Sequence, residues 1–253
     1  MTLATPAKTR RSPLADRLDV IVAPVFIVFL AIIGAVVWLY SDIDNTTRSI
    51  LAPEKLQAQM VDTVILGFAS SALVIIVAIP IGIAVTRRGL PRVKTFLVDT
   101  LGLAQALPAY GLIVIFFSFL GAGINTVILA LATFSLLPVL RNTIVGLEQV
   151  DQAVIEAGRG MGYTKRQVLF EIELPLAVPV IIAGIRTAIV INIGMAALAF
   201  LVGGGGLGET INSGLKLDRS PAILIGAVLV AILALIFDFL GAVAQRYLKP
   251  KGM

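Results

Sequence analysis

Val154-Ile-Glu-Ala-Gly-Arg-Gly-Met-Gly-Tyr-Thr-Lys-Arg-Gln-Val-Leu-Phe-Glu-Ile-Glu-Leu-Pro-Leu176 is the one strongly polar, charge-dense stretch in the second half of a chain made otherwise of long apolar runs. Its setting decides what it can be. Hydrophobic residues make up 58% of the 253-residue sequence and charged residues 14%, and the mean hydropathy is +1.00, far from the average soluble domain. Such a chain belongs in a bilayer, where a spanning helix needs about 20 mostly apolar residues because every backbone donor and acceptor must be satisfied within the segment. A polar segment held between two such spans is placed to be presented to a partner.

Counting apolar runs outward from this segment gives six spans and an all-α membrane protein. Residues 20–40 carry no charge and end in Trp38 and Tyr40, rings that favour the headgroup level. The basic residues Lys8, Arg10, Arg11 and Arg17 precede this run as in a signal peptide, but it is too long and lacks a cleavage pattern, so it reads as an uncleaved helix after a segment 1–19. A second run, 63–86, is closed by Arg87 and Arg88, with Pro80 and Gly82 expected to kink it. Residues 100–140 are uncharged and about twice the ~20 residues of one span, so two helices share them, with the break at Gly121-Ala-Gly-Ile-Asn125. A fifth run extends to Val202, a loop follows at 203–220, and a sixth run covers 222–247. The transmembrane unit is thus 60–247, with the polar loop at 151–177 inside it and a tail at 248–253.

Lysine and arginine fall unevenly on the two faces. One face collects Lys8, Arg10, Arg11, Arg17, Arg87, Arg88, Arg92, Lys94, Arg141, Arg159, Lys165, Arg166, Arg246, Lys249 and Lys251; the other holds only Arg48, Lys55, Lys216 and Arg219. The excess marks the cytoplasmic side, which takes both termini and the polar segment with it. It also accounts for a pI of about 9.7 without nucleic acid, whose recognition needs a basic soluble surface. Cysteine and histidine are absent, which excludes thiol chemistry, the usual zinc and haem sites and a hydrolytic triad. Gly203-Gly-Gly-Gly-Leu-Gly208 lacks the Lys-Ser/Thr of a phosphate loop. Catalytic and metal residues are therefore not expected, and any energy comes from another chain.

Within the polar segment, Asp151 is placed to cap a short helix that Gly160 and Gly162 would end. Ala157 and Gly158 would leave one side nearly bare for the close approach of a partner. A second helix over 164–174 would set Val168, Leu169 and Ile172 on one face and Lys165, Arg166, Glu171 and Glu173 elsewhere, with Pro175 and Pro179 turning the chain into the membrane. This describes a rigid elbow joined to a span. A pair of amphipathic helices lying in the headgroup layer would show the same pattern.

The full spacing points further. Glu156-Ala157-Gly158, then Gly162, then Ile172, Leu174 and Pro175 resemble the EAA signature of permease subunits in ABC importers, departing only at Gly158, where that family usually has alanine. Ala106-Leu-Pro-Ala-Tyr-Gly111, Leu136-Leu-Pro-Val-Leu-Arg-Asn-Thr143, Ala183-Gly-Ile-Arg-Thr187 and Gly203-Gly-Gly-Gly-Leu-Gly-Glu209 look like the branch that imports osmoprotectants such as glycine betaine, choline and carnitine. The resemblance implies a type I importer permease fold, with Glu156, Ala157, Gly158 and Gly162 in a coupling helix docked on an ATP-hydrolysing subunit and Ile172, Leu174 and Pro175 framing the return to the membrane. It implies that the permease holds no cofactor, ATP and Mg being bound by the partner. It also implies a second permease subunit, a bacterial inner-membrane location and, since the chain ends at Met253, a separate periplasmic or lipid-anchored solute-binding protein. Glycine at 158 is expected to loosen the coupling helix by up to about 1 kcal/mol.

Gly203, Gly204, Gly205, Gly206 and Gly208 read either as a turn or as an outer gate formed where two permease subunits meet. Tyr110 and Phe116 could line a route for a cation, although aromatics at helical spacing also serve packing. Asp238 needs a partner at depth, and Arg186 or Arg141 could supply it; Asn142 and Asn192 read as interhelical hydrogen-bonding groups. Importers of methionine or phosphonates share the elbow, and a stand-alone carrier or a membrane scaffold stands as the alternative from another class.

Overall fold

The computed structural model describes residues 13–41, 43–87 and 91–247, with the side chains of 13–20 outside the description. Lys8, Arg10, Arg11, Arg88, Lys249, Lys251 and the tail 248–253 lie outside the described residues, as does the start of the 1–19 segment. Among the described residues the chain is helical throughout, without a strand. Among the described residues five helices are long and apolar enough to cross a membrane, or six passages when a bent pair is counted as one span.

The five are α1 (Pro13–Tyr40), α3 (Pro53–Arg87), α6 (Ile124–Glu148), α9 (Leu174–Ala196) and α11 (Ser220–Tyr247). Short helices α2 (Asn45–Ile50), α7 (Gln152–Gly160), α8 (Lys165–Gln167) and α10 (Gly208–Lys216) lie between them. The third passage differs from the single helix expected: α4 (Pro91–Ala106) and α5 (Ala109–Leu120) meet at 101°. Pro108 is the cause, since it cannot donate a backbone hydrogen bond and it drives Leu107 out of the helical region. Conversely, α3 runs unbroken for 35 residues through Pro80, as spanning helices can when neighbouring groups satisfy the freed carbonyl.

The centre is a three-helix core of α3, α6 and α9. Val74, Ala78, Ala132, Val139, Leu140, Ile144 and Ala188 are buried together near its middle. Crossings are made at small residues: a β-carbon on Gly67 would stand 2.6 Å from Ile193 Cγ1, and one on Gly82 2.7 Å from Thr143 Cγ2. Lipid offers no hydrophobic drive between helices, so this backbone proximity is what holds them. Asn192, fully buried, adds a polar tie. With its amide nitrogen toward the Leu131 carbonyl (3.1 Å) and Ser135 hydroxyl (2.9 Å), its oxygen accepts from Ser71 at 3.0 Å. Asn142 instead stands against Gly184.

Around this core α11 packs on α9 and α1 packs on α11. Arg186 of α9 and Asp238 of α11 form a two-pronged ion pair at 2.5 and 2.6 Å, each about a quarter exposed, so the partner that Asp238 requires is Arg186. Lys94 Nζ reaches Glu148 Oε1 at 2.6 Å and fixes the start of α4 to the end of α6. At the opposite face Asp44 caps α2 by accepting from Thr47 N at 2.8 Å and pairs with Arg219 at 3.1 Å. Hydrogen bonding from Thr47, with the Arg219 charge, holds the Asp44 carboxyl below its ordinary pKa.

Candidate functional site

The elbow between α6 and α9 is built by local signals that act in sequence. Asp151 Oδ1 accepts from Ala153 N at 2.9 Å and starts α7. The helix closes on a Schellman motif: Gly162 has φ +91°, its N–H reaches Arg159 O at 3.0 Å, and Tyr163 N–H reaches Gly158 O at 3.1 Å. A capping box follows, with Gln167 N donating to Thr164 Oγ1 at 3.3 Å and Thr164 N donating to Gln167 Oε1 at 2.9 Å. The chain then passes from α8 through a π-turn at Val168–Glu173 directly into α9. Pro175 does not break the path: it stands in the first turn of α9, where proline is tolerated, and 165–196 forms one continuous helical run.

The expected docking residues divide between two sides. Glu156, Ala157, Gly162 and Pro175 are exposed, whereas Gly158 is buried and Ile172 and Leu174 are half-buried. Gly158 therefore does not present bare backbone to a partner. It faces into the elbow, where a β-carbon would collide with Ile172 Cδ1. The departure from alanine is a fit between Gly158 and Ile172, and any loss of helix propensity is set against that packing. Like Glu156, Val154 (42% exposed), Met161 (69%) and Phe170 (63%) of the elbow are turned to the surface. Sequence reasoning passed over these three, although a large apolar group turned to water on a charged loop is itself a signal.

Glu173 also lies elsewhere than its periodicity implies. Helical periodicity put it with the polar face, but its side chain is 1% exposed and accepts from Arg87 Nη1 at 2.8 Å, with Arg87 Nη2 on its other oxygen. The π-turn adds a residue to the turn and rotates Glu173 inward, a shift that a 3.6-residue period cannot anticipate. Beside this pair, Leu147, Leu169, Ala177 and Ile181 form a buried cluster with Ile79 and Ile83, so the elbow rests on both α3 and α6.

At the other face the glycine stretch is mostly packed inside its own subunit. The fifth run stops at Ala196 rather than Val202, a 3-10 turn covers Ala199–Val202, and 203–220 is not a plain loop because it contains α10. Gly204, Gly206 and Gly208 are buried, Gly205 is half-buried and Gly203 is exposed. A β-carbon on Gly208 would overlap the Ala197 carbonyl. Gly206, at φ +89°, lies against Thr63, whose hydroxyl accepts from Leu207 N at 2.9 Å. Gly203 also edges an open hollow of about 660 Å³ beside the α5–α6 turn. The two aromatics are not brought together: Phe116 packs on the core cluster of Leu66, Ile113 and Val127, while Tyr110 is 55% exposed just after the bend.

Residues 78–251 match the family described as binding-protein-dependent transport system inner membrane component. The chain belongs to that family. It is a multi-pass membrane permease of the ABC importer class. Among its relatives, the glycine betaine/carnitine/choline transport system permease protein OpuCB of Bacillus subtilis is 42% identical over 71% of this chain and 82% of its own length. The choline transport system permease protein OpuBB of the same organism is 39% identical over 85% and 90%. The osmoprotectant import permease protein OsmY of Salmonella typhimurium is 38% identical over 78% and 86%. The fold matches a chain of the MetNI methionine ABC transporter with a TM-score of 0.66 at 23% identity, covering 78% of this permease and 97% of that chain.

Proposed function

We propose that this permease forms half of the pathway through which an ATP-driven importer takes up a quaternary-amine osmoprotectant of the glycine betaine, choline and carnitine class. The observation that carries the substrate class is the agreement of relatives at 38–42% identity, named for glycine betaine, carnitine or choline and in one case for osmoprotectant import. The elbow supports the rest. Its exposed Glu156 and the apolar Val154, Met161 and Phe170 offer a mixed surface for an ATPase subunit, while its buried side is locked to α3 and α6. In this reading both termini and the elbow face the cytoplasm, and a second permease subunit completes the pathway. A separate solute-binding protein delivers the cation to the glycine-loop face. The permease performs no bond chemistry and holds no cofactor; ATP and Mg bind to the partner. ATP-driven closure of the partner carries α7 with it, and because α9 continues from the elbow without a joint, the displacement reaches the membrane as a tilt.

Uptake of labelled glycine betaine by cells lacking this permease, restored with wild type or Glu156→Lys, tests the reading. The expected result is uptake that requires Glu156 and is competed by choline and carnitine. Uptake competed by methionine alone would discard the substrate class, and uptake indifferent to Glu156 and to ATP would favour a stand-alone carrier.

A further inference from the structure

Among the described residues, α3 is the one element tied by polar side chains to both conspicuous stretches of the sequence. At one end Arg87 holds the buried Glu173, which ends the π-turn of the elbow. Ile172, adjacent to Glu173, is the residue against which α7 rests at Gly158. At the other end Thr63 accepts from Leu207 N at 2.9 Å, and Gln59 accepts from Thr210 Oγ1 at 2.5 Å and donates weakly to Glu209 Oε2 at 3.5 Å. Gln59 and Arg87 are about 40 Å apart along a helix at ~1.5 Å per residue. Between them α3 is unbroken and packed on both sides, by α6 and by α9.

We propose that α3 is the rod linking the docking elbow to the glycine loop and α10, with Arg87–Glu173 and Thr63–Leu207 as positioning contacts at its two ends. The inference rests on the permease reading above and adds to it the route and the residues. Two features make these contacts more than packing. Glu173 is a carboxylate buried at the end of the π-turn, and a buried charge paired with an arginine holds its position only while that partner is in place. Thr63 binds a backbone N–H of the loop itself, so a shift of α3 along its axis must either move Leu207 or break that bond. A rod latched at both ends passes displacement in either direction, which is the physical requirement for coupling two distant sites.

The chain has no cysteine, so a single reporter can be read against no background. Lys216→Cys places one on the exposed end of α10, outside both latches. The permease is purified with its co-expressed ATPase subunit, and the rate of maleimide labelling is compared without nucleotide and with a non-hydrolysable ATP analogue. Nucleotide should change the labelling rate by about tenfold, within the usual range of coupling between sites. Glu173→Gln and, separately, Thr63→Val should each reduce that response to less than about twofold while the ATPase subunit still co-purifies. The pair Arg87→Glu/Glu173→Arg should recover it. A full nucleotide response in both single variants would overturn the rod. Loss of response together with loss of ATPase co-purification would overturn it too, because the contacts would then only support the elbow. A wild-type permease to which no ATPase binds would instead overturn the reading of the elbow on which the rod depends.

Discussion

The elbow at 151–175 and the glycine loop at 203–208 both stand out in the sequence, yet they use their small residues in different directions. In the elbow, Gly158 is turned inward to accept Ile172, and Glu156, Val154, Met161 and Phe170 are left facing out. In the loop, three of five glycines are buried against α3, α6 and the chain around Ala197, and only Gly203 is exposed. One region leaves charged and apolar side chains open at the surface, while the other is consumed largely by the fold of its own subunit. A glycine run on an outer loop is therefore weaker testimony to a gate than a charged elbow is to docking.

The largest effect that would sharpen this contrast is expected at Gly208. Gly208→Ala forces a β-carbon onto a backbone carbonyl that cannot rotate away, and overpacking of this kind costs about 3 kcal/mol or more. The variant should fail to accumulate as a monodisperse species in detergent. Gly206→Leu meets a different obstacle, a φ of +89° and a β-carbon 3.0 Å from Thr63 Oγ1, and so cannot isolate a gate either. Gly203 is the position where bulk could be added with least disturbance of packing, although its φ of +74° still disfavours a side chain. On the elbow side, Glu156→Lys should leave the melting temperature unchanged and weaken ATPase co-purification by about thirtyfold, the equivalent of about 2 kcal/mol at an interface. If Glu156→Lys instead lowers the melting temperature, the elbow's outer face is structural and the contrast breaks.

Smaller effects separate the supports. Arg186→Ala leaves Asp238 half-buried without its partner and should cost about 2–3 kcal/mol, read as a lowered melting temperature, with partial recovery in the swap Arg186→Asp/Asp238→Arg. Gly158→Ala gains up to about 1 kcal/mol of helix propensity but must displace Ile172 Cδ1, so its net effect should stay within about 1 kcal/mol. Gly158→Ala/Ile172→Val removes the colliding methyl and should be more stable than Gly158→Ala alone. The smallest change is expected for Asp44→Asn. Its carboxyl has a depressed pKa in the folded state, so its contribution is present above the ordinary carboxylate range and is lost as pH falls through the folded value. The slight difference between Asp44→Asn and wild type in thermal melts should therefore disappear on acidification.

Spans were legible because hydrocarbon imposes a length and a polarity on every segment, and neither depends on what the helix packs against. The two ends of α7 were legible for a similar reason: Asp151 acts through a side-chain cap two residues on and Gly162 through its own positive φ, both strictly local. What escaped was set by tertiary or irregular geometry. The bend at Pro108 is a case of a proline that breaks a helix, whereas the helical path continues through Pro80 and Pro175, so the presence of a proline alone does not separate the two outcomes. Glu173 was misplaced because the π-turn shifts the phase of the helix within one turn. Its partner Arg87 is 86 positions away in the sequence, beyond any local pattern. The inward face of Gly158 was hidden because a glycine carries no side chain whose polarity would reveal its direction.

The central claim is that the outer face of the elbow receives an ATPase subunit, and the absence of cysteine makes it directly testable. Ala157→Cys puts a single thiol on that face, next to Glu156, and a short bifunctional cross-linker can be applied to native membranes from cells that express the whole importer. A cross-linked product containing a nucleotide-binding subunit, formed from Ala157→Cys and not from Lys216→Cys, is the predicted result. An Ala157→Cys thiol that reacts freely yet joins no such subunit would contradict the account and leave the elbow as a helix pair lying on the membrane surface.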